Sequence, residues 1–175
     1  MGGGHGSDKS AQSNAGENIE VATILLRSLH RPSPTSARRR VLLLSIMKGT
    51  FEKAWGYQGD NMNLPVRDVA ASLPFYQTVL GFHLLSRSDS PHNSAVLVRD
   101  HVRIGLAENG RDSTQDGCAF HVKGLEALFA EFKSNGLQKE LSEFSIEQHD
   151  GAAWKVFYVV APDGLCYWFG ERQTG

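Results

Sequence analysis

Hydrophobic and polar positions alternate along residues 61–67, with Met62, Leu64 and Val66 on one side. That is the period of a half-buried strand. Asp68 follows as a helix N-cap, its carboxylate able to accept from the free N–H groups of the first turn. The spacing predicts a helix over 69–80, with Val69, Leu73, Phe75, Tyr76 and Leu80 broadly on one side, a kink at Pro74 and a stop at Gly81. Strands are predicted next at 82–87, 94–99 and 102–107, with the short turn Arg99-Asp100-His101 between the last two.

The same order then returns. Cys118, Phe120 and Val122 alternate along a strand, and residues 124–135 place Leu125, Leu128, Phe129 and Phe132 at the i, i+3, i+4, i+7 positions of an amphipathic helix. Gly136 stops that helix as Gly81 stops the first. Strands are predicted at about 137–144, 154–160 and 165–169, the last two joined by the turn Ala161-Pro162-Asp163-Gly164. Two units of about 50 residues with one element order argue for an internal duplication of an α+β module. The domain is expected over 58–172, with module one at about 60–109 and module two at about 116–172.

Composition changes this picture mainly at the N-terminus. Residues 1–55 are expected to be a disordered or non-native tail: the first eighteen are rich in Gly, Ser and Asn and lack apolar periodicity. A short apolar stretch, Val21–Leu29, precedes Arg31-Pro32-Ser33-Pro34 and the run Arg38-Arg39-Arg40. An organelle transit segment or a basic arm would use such residues, although Asp8, Glu17 and Glu20 fit a transit segment poorly. Met47 is an alternative start. The chain's net charge of −1 conceals seven Lys/Arg against three Asp/Glu in residues 1–50, and eleven against sixteen thereafter. A mildly acidic folded part argues against a nucleic-acid partner, and no apolar run approaches the roughly 20 residues of a membrane span. Cys118 and Cys166 stand in different predicted strands and form no metal-spaced cluster. Two free thiols in a reducing, cytoplasmic compartment are expected.

Two stretches carry a resemblance. Leu64–Phe82, LPVRDVAASLPFYQTVLGF, resembles the first strand and helix of the vicinal oxygen chelate superfamily. Trp154–Glu171, WKVFYVVAPDGLCYWFGE, is similar to its closing hairpin, with Ala161 and Leu165 where the family usually has Asp and Asn. The resemblance implies two βαβββ modules, each a curved four-stranded sheet, closing around a central cavity and commonly meeting a second subunit there. Metalloenzymes of the superfamily, such as glyoxalase I and extradiol dioxygenases, hold a divalent ion at four positions. Carried onto this chain, those positions are Asn61, Ile104 or Gly105, Gly117 and Trp168. None supplies an imidazole or carboxylate. No metal and no cofactor are therefore expected, and the metal-free bleomycin resistance proteins are the members this chain resembles most.

Strand alternation turns Gly117, Ala119 and His121 away from the helix side, and the same parity aims Asn61, Asn63, Cys166, Trp168 and Arg103 toward the expected cavity. Asn61, Asn63, Arg103, His121, Cys166 and Trp168 are thus the candidate ligand-binding residues. Plain strand packing is the competing account of each. The expected function is metal-independent sequestration of an aromatic or amphipathic small molecule by a homodimer. The alternative is a metal-dependent glyoxalase- or dioxygenase-type enzyme, with His121 as a base and Arg103 as an anion clamp in a metal-free variant.

Overall fold

Each half of the chain pairs its first strand with its last. In the computed structural model, which describes residues 48–138 and 144–174, the strands are β1 (Thr50–Gly56), β2 (Leu64–Pro65), β3 (His83–Ser88), β4 (Ser94–Arg99), β5 (Val102–Ala107), β6 (Gly117–Lys123), β7 (Ser145–His149), β8 (Ala152–Val160) and β9 (Cys166–Arg172). The helices are α1 (Val69–Pro74) and α2 (Leu125–Ser134). One sheet runs β2-β5-β4-β3 and the other β1-β6-β9-β8-β7. Parallel contacts β2–β5 and β6–β9 close the two modules in the same way. The duplicated α+β architecture is therefore present in the strand order itself. Among the described residues no helix is long and apolar enough to cross a membrane.

The second sheet has five strands rather than four, because β1 pairs antiparallel with β6. Residues 50–55, expected as tail, belong to the folded domain. The physical reason is Phe51: its side chain is fully buried and its ring meets Phe82, Phe120 and Phe169 at centroid distances of 5.3, 5.1 and 5.8 Å. The Phe51 N–H also donates to Asp100 Oδ2 at 3.0 Å. Residues 1–47, including Met47 and the arginine run, lie outside the described residues.

Other expectations shift for local reasons. The first strand shrinks to Leu64–Pro65 and Met62 is 44% exposed. The Met62 N–H turns back to Asp60 Oδ1 at 2.8 Å, and Pro65 has no N–H to extend the ladder. Asp68 caps α1 by accepting from Ala71 N at 2.9 Å. At Pro74, where a kink was expected, the helix continues and widens into a π-turn over Phe75–Val79. Pro74 cannot donate to the preceding turn, and a wider turn accommodates that loss. This buries Tyr76, whose hydroxyl lies 2.8 Å from Tyr167 Oη and donates to Asp163 at 2.8 Å. Burial, the first cause, and the neighbouring Tyr167 and Asp163 hold the Tyr76 hydroxyl well above its ordinary value, so it stays protonated. The strand expected at 137–144 is not found at 137–138, and 139–143 lie outside the described residues. The outer strand is β7, further along.

The helix-bearing sides of both sheets share one core, in which Leu64, Tyr76 and Ile104 of module one join Phe120, Phe132, Phe157 and Phe169 of module two. Arg99 ties this core together although its side chain is only 4% exposed. Its guanidinium donates to Leu80 O and, at 2.9 Å, to Glu131 Oε2 on α2, and it lies 4.7 Å from the Phe51 ring centroid. A fork of five donors suits several acceptors at once, which a lysine ammonium at the end of a flexible stem does not. Arg99→Lys is therefore expected to lower unfolding free energy by about 3 kcal/mol, read as a fall in urea midpoint at unchanged slope. A loss under about 1 kcal/mol would show that Arg99 is not the tie between the modules.

Candidate functional site

On the other face of the five-stranded sheet the side chains alternate outward from the core-facing set. β6 presents Gly117, Ala119 and His121, β9 presents Cys166, Trp168 and Gly170, and β8 presents Trp154, Val156 and Tyr158. Register aligns Gly117 with Cys166, Ala119 with Trp168 and His121 with Gly170. β1 adds Lys53 and Trp55, which stand opposite His121 and Ala119, and β7 adds Glu147, opposite Trp154.

Small residues in the middle strands let large rings meet above them. Trp168 is 7% exposed and packs with Ala119 and Val156. A Cβ on Gly170 would come within 1.9 Å of the Trp168 ring, so the indole lies across the bare main chain of Gly170. His121 and Trp154 reach over the intervening strand β9 to stack at 4.1 Å with 25° between their planes. Trp55 meets His121 edge-on at 4.4 Å and sits 6.2 Å from Trp168. Trp55 is 41% exposed, so the ring cluster opens toward solvent.

Polar atoms around the cluster are engaged with one another. Glu147 accepts from Trp168 Nε1 at 3.1 Å and Tyr158 OH at 2.9 Å, and its Oε2 lies 2.8 Å from His149 Nε2. Burial pushes the Glu147 carboxyl up, but these three donors outweigh it and hold the group below the usual carboxylate range. With its pKa lowered in the folded chain, this network persists as pH falls past the ordinary value and comes apart only below it. Burial, and after it the charge of Lys53, lowers the His121 pKa, so the ring is neutral at pH 7. Burial first, then the hydrogen bond to Glu147, pushes Tyr158 up to about 12. The face thus offers ring surfaces, with the Trp168 N–H tied back to Glu147.

The structure brings three of the six sequence-derived candidates, His121, Cys166 and Trp168, onto this face. Asn61, Asn63 and Arg103 belong to the other module. Asn61 Nδ2 donates to the main-chain oxygen of Arg103 at 2.7 Å, while Asn63 Oδ1 and O accept from Asn109 Nδ2, each at 3.0 Å. Their amides serve loop closure, and the Arg103 side chain is exposed. Sequence reasoning missed Trp55, Glu147, Trp154, Tyr158 and Gly170. Extending the period-2 parity along β8 would have found Trp154 and Tyr158. Nothing local marks Glu147, whose partners come from β8 and β9 as well as from β7.

A groove of about 660 Å³ lies elsewhere, between the start of α1 and the β3–β4 turn, lined by Arg67, Asp68, Arg87, Asn93 and Glu108. It contains none of the rings. Glu108 is already committed there, accepting from Val69 N at 2.9 Å and Asn93 Nδ2 at 2.8 Å.

Residues 61–98 match the family model for bleomycin resistance protein-like N-terminal domains. Among solved structures, a protein from the mobile metagenome of V. pseudocholerae is 21% identical with a TM-score of 0.52, over 66% of this chain and 94% of its own. The bleomycin resistance determinant encoded on transposon Tn5 is 24% identical with a TM-score of 0.50, over 65% of this chain and 96% of its own. The likeness is one of fold, the paired βαβββ modules that the sequence resemblance implies. An integron cassette protein from V. cholerae shares it, at 21% identity and a TM-score of 0.50, over 64% of this chain and 92% of its own. No curated protein matches the chain in sequence.

The metal positions of the vicinal oxygen chelate fold can be tested on this geometry. Among the described residues no group of three or more His, Cys, Asp or Glu side chains is placed to hold a metal ion. At Gly105 a Cβ would meet Met62 O at 2.0 Å, and at Gly117 it would meet Cys166 O at 1.8 Å. The main chain has closed onto both positions, so no ligating side chain fits there without backbone movement. Asn61 spends its amide on Arg103 O, and Trp168 offers a ring. These residues do not fit the superfamily's divalent metal.

Gly170→Ala tests the arrangement of the rings. A methyl there normally helps a strand slightly, yet here it would displace the Trp168 indole from Glu147. Near-ultraviolet circular dichroism is expected to lose intensity and acrylamide quenching to rise, with far-ultraviolet signal retained. Unchanged aromatic spectra would refute the packing of Trp168 on Gly170.

Proposed function

We propose that this protein binds a small planar aromatic or amphipathic molecule, without a metal, on the ring-lined face of the five-stranded sheet. The observation that carries the reading is the cluster of Trp55, His121, Trp154 and Trp168 above the small residues Ala119 and Gly170. Ring faces a few ångströms apart, with the Trp154 and Trp168 indole N–H groups donating to His149 O and Glu147, favour a flat apolar partner through stacking and burial. Closure of the main chain onto Gly105 and Gly117 supports metal independence. The likeness in fold to the Tn5 bleomycin resistance determinant supports a binding role.

A homodimer is part of this proposal. Trp55 and Tyr57 are more than two-fifths exposed on the site face, and a second subunit would cover rings that are costly to leave in water. A cytoplasmic location is proposed too, in keeping with the free thiols Cys118 and Cys166.

Titration with 2-naphthol, followed by tryptophan fluorescence, tests the reading. Saturable binding is expected, weakened about thirtyfold in Trp168→Ala, the loss of one central buried aromatic anchor. Trp154→Ala provides a second variant whose ring lies outside the main core. Binding unaffected by either substitution would overturn the proposal. Light scattering during size exclusion should give twice the chain mass, and a monomer would remove the dimer from the account.

A further inference from the structure

The proposed binding face carries an uneven distribution of charge. Glu147 keeps its negative charge, but both of its oxygens are occupied, by Tyr158, Trp168 and His149. Two cations on the same face are not engaged in this way. Lys53 stands opposite His121 on β1. Arg172, two residues beyond Gly170 on the same side of β9, stands opposite Trp154. Both are exposed, and among the described residues neither is held in a hydrogen bond or ion pair. β1 and β9 are two strand spacings apart, roughly 10 Å across the sheet, a gap that two long side chains can close around one group.

Other charges near this corner do not reverse the balance. Glu52 is bound to Lys123 at 2.6 Å. Asp150 lies in the β7–β8 turn and raises the His121 pKa less than either neighbour on β1 alters it. Lys53 is the largest single charge acting on the imidazole at the middle of the ring cluster, after burial. The stacked rings supply the apolar surface, and the open cations supply the sign.

We infer that the ligand is a planar aromatic bearing an anionic group, its ring lying on the His121–Trp154–Trp168 surface and its carboxylate or sulfonate at Lys53 and Arg172. This rests on the proposal that the ring face binds aromatic ligands and adds the sign of the substituent. No bond is made or broken. An anion placed between two exposed cations is attracted at long range as well as at contact, so both its affinity and its salt dependence should exceed those of a neutral analogue.

Three probes of equal ring size separate the possibilities with the full-length chain: 2-naphthalenesulfonate, 2-naphthalenemethanol and a trimethyl(2-naphthyl)ammonium salt, each titrated by calorimetry at low salt and in 0.5 M sodium chloride. The sulfonate is expected to bind about tenfold more tightly than the neutral probe at low salt. High salt should remove most of that margin, and so should the double variant Lys53→Gln, Arg172→Gln. In that variant the neutral probe should bind as before, which shows the face is intact. Equal affinity for all three probes, or a preference for the ammonium, would overturn the assignment of charge and leave the aromatic site standing. Binding of none of the three would instead remove the underlying reading. A second subunit that seals the face would also give no binding, and would overturn both.

Discussion

A buried guanidinium joins the two halves of this protein. Arg99 closes β4 of the first module, yet its acceptors include Leu80 O behind α1 and Glu131 on α2 of the second, and it lies against Phe51 of β1. A charge taken out of water needs its donors filled, and leaving it half-paired costs several kilocalories per mole. That requirement fixes where β4, α2 and β1 can stand relative to one another. Gly81 answers the same requirement, since a Cβ there would lie 2.5 Å from Arg99 Nη1.

Once both helix-bearing sides are committed to that shared core, strand alternation leaves the opposite side of the five-stranded sheet for other use. Phe120, Phe157, Tyr167 and Phe169 face inward, so His121, Trp154, Tyr158 and Trp168 face outward. Glycine and alanine in β6 and β9 keep that side low enough for rings from β1, β8 and β9 to meet across it. Glu147 then fixes the orientation of Trp168 by accepting its only polar hydrogen. Two of the positions carried over from metal-holding relatives, Gly105 and Gly117, are places of close main-chain approach.

Much of the scaffold was legible in the sequence because its signals are local. Asp68 caps, Gly81 and Gly136 stop, and the Pro162-Asp163-Gly164 turn sits where its residue types demand. The β4 and β5 boundaries match the strands expected at 94–99 and 102–107, set off by the short turn between them. β1 was not legible as part of the domain, since its burial depends on Phe51 meeting Phe82, Arg99, Phe120, Phe132 and Phe169, all distant in sequence. β7, Ser145–His149, holds a single apolar residue and carries no alternation to read. Of the site, parity placed His121, Cys166 and Trp168 on the open face. It could not foresee that Asn61 and Asn63 would be consumed in loop closure, or that Trp55 and Glu147 would complete the cluster from the two outer strands.

Metal independence of aromatic binding is the claim on which the functional account turns. Its most direct test is the affinity for 2-naphthol of protein purified in chelator, measured alone and after addition of Ni, Zn, Mn or Fe(II), with elemental analysis of the same samples. The account predicts substoichiometric metal throughout and one affinity regardless of the ion added. Stoichiometric metal that survives chelation, or binding that appears only when an ion is restored, would contradict it.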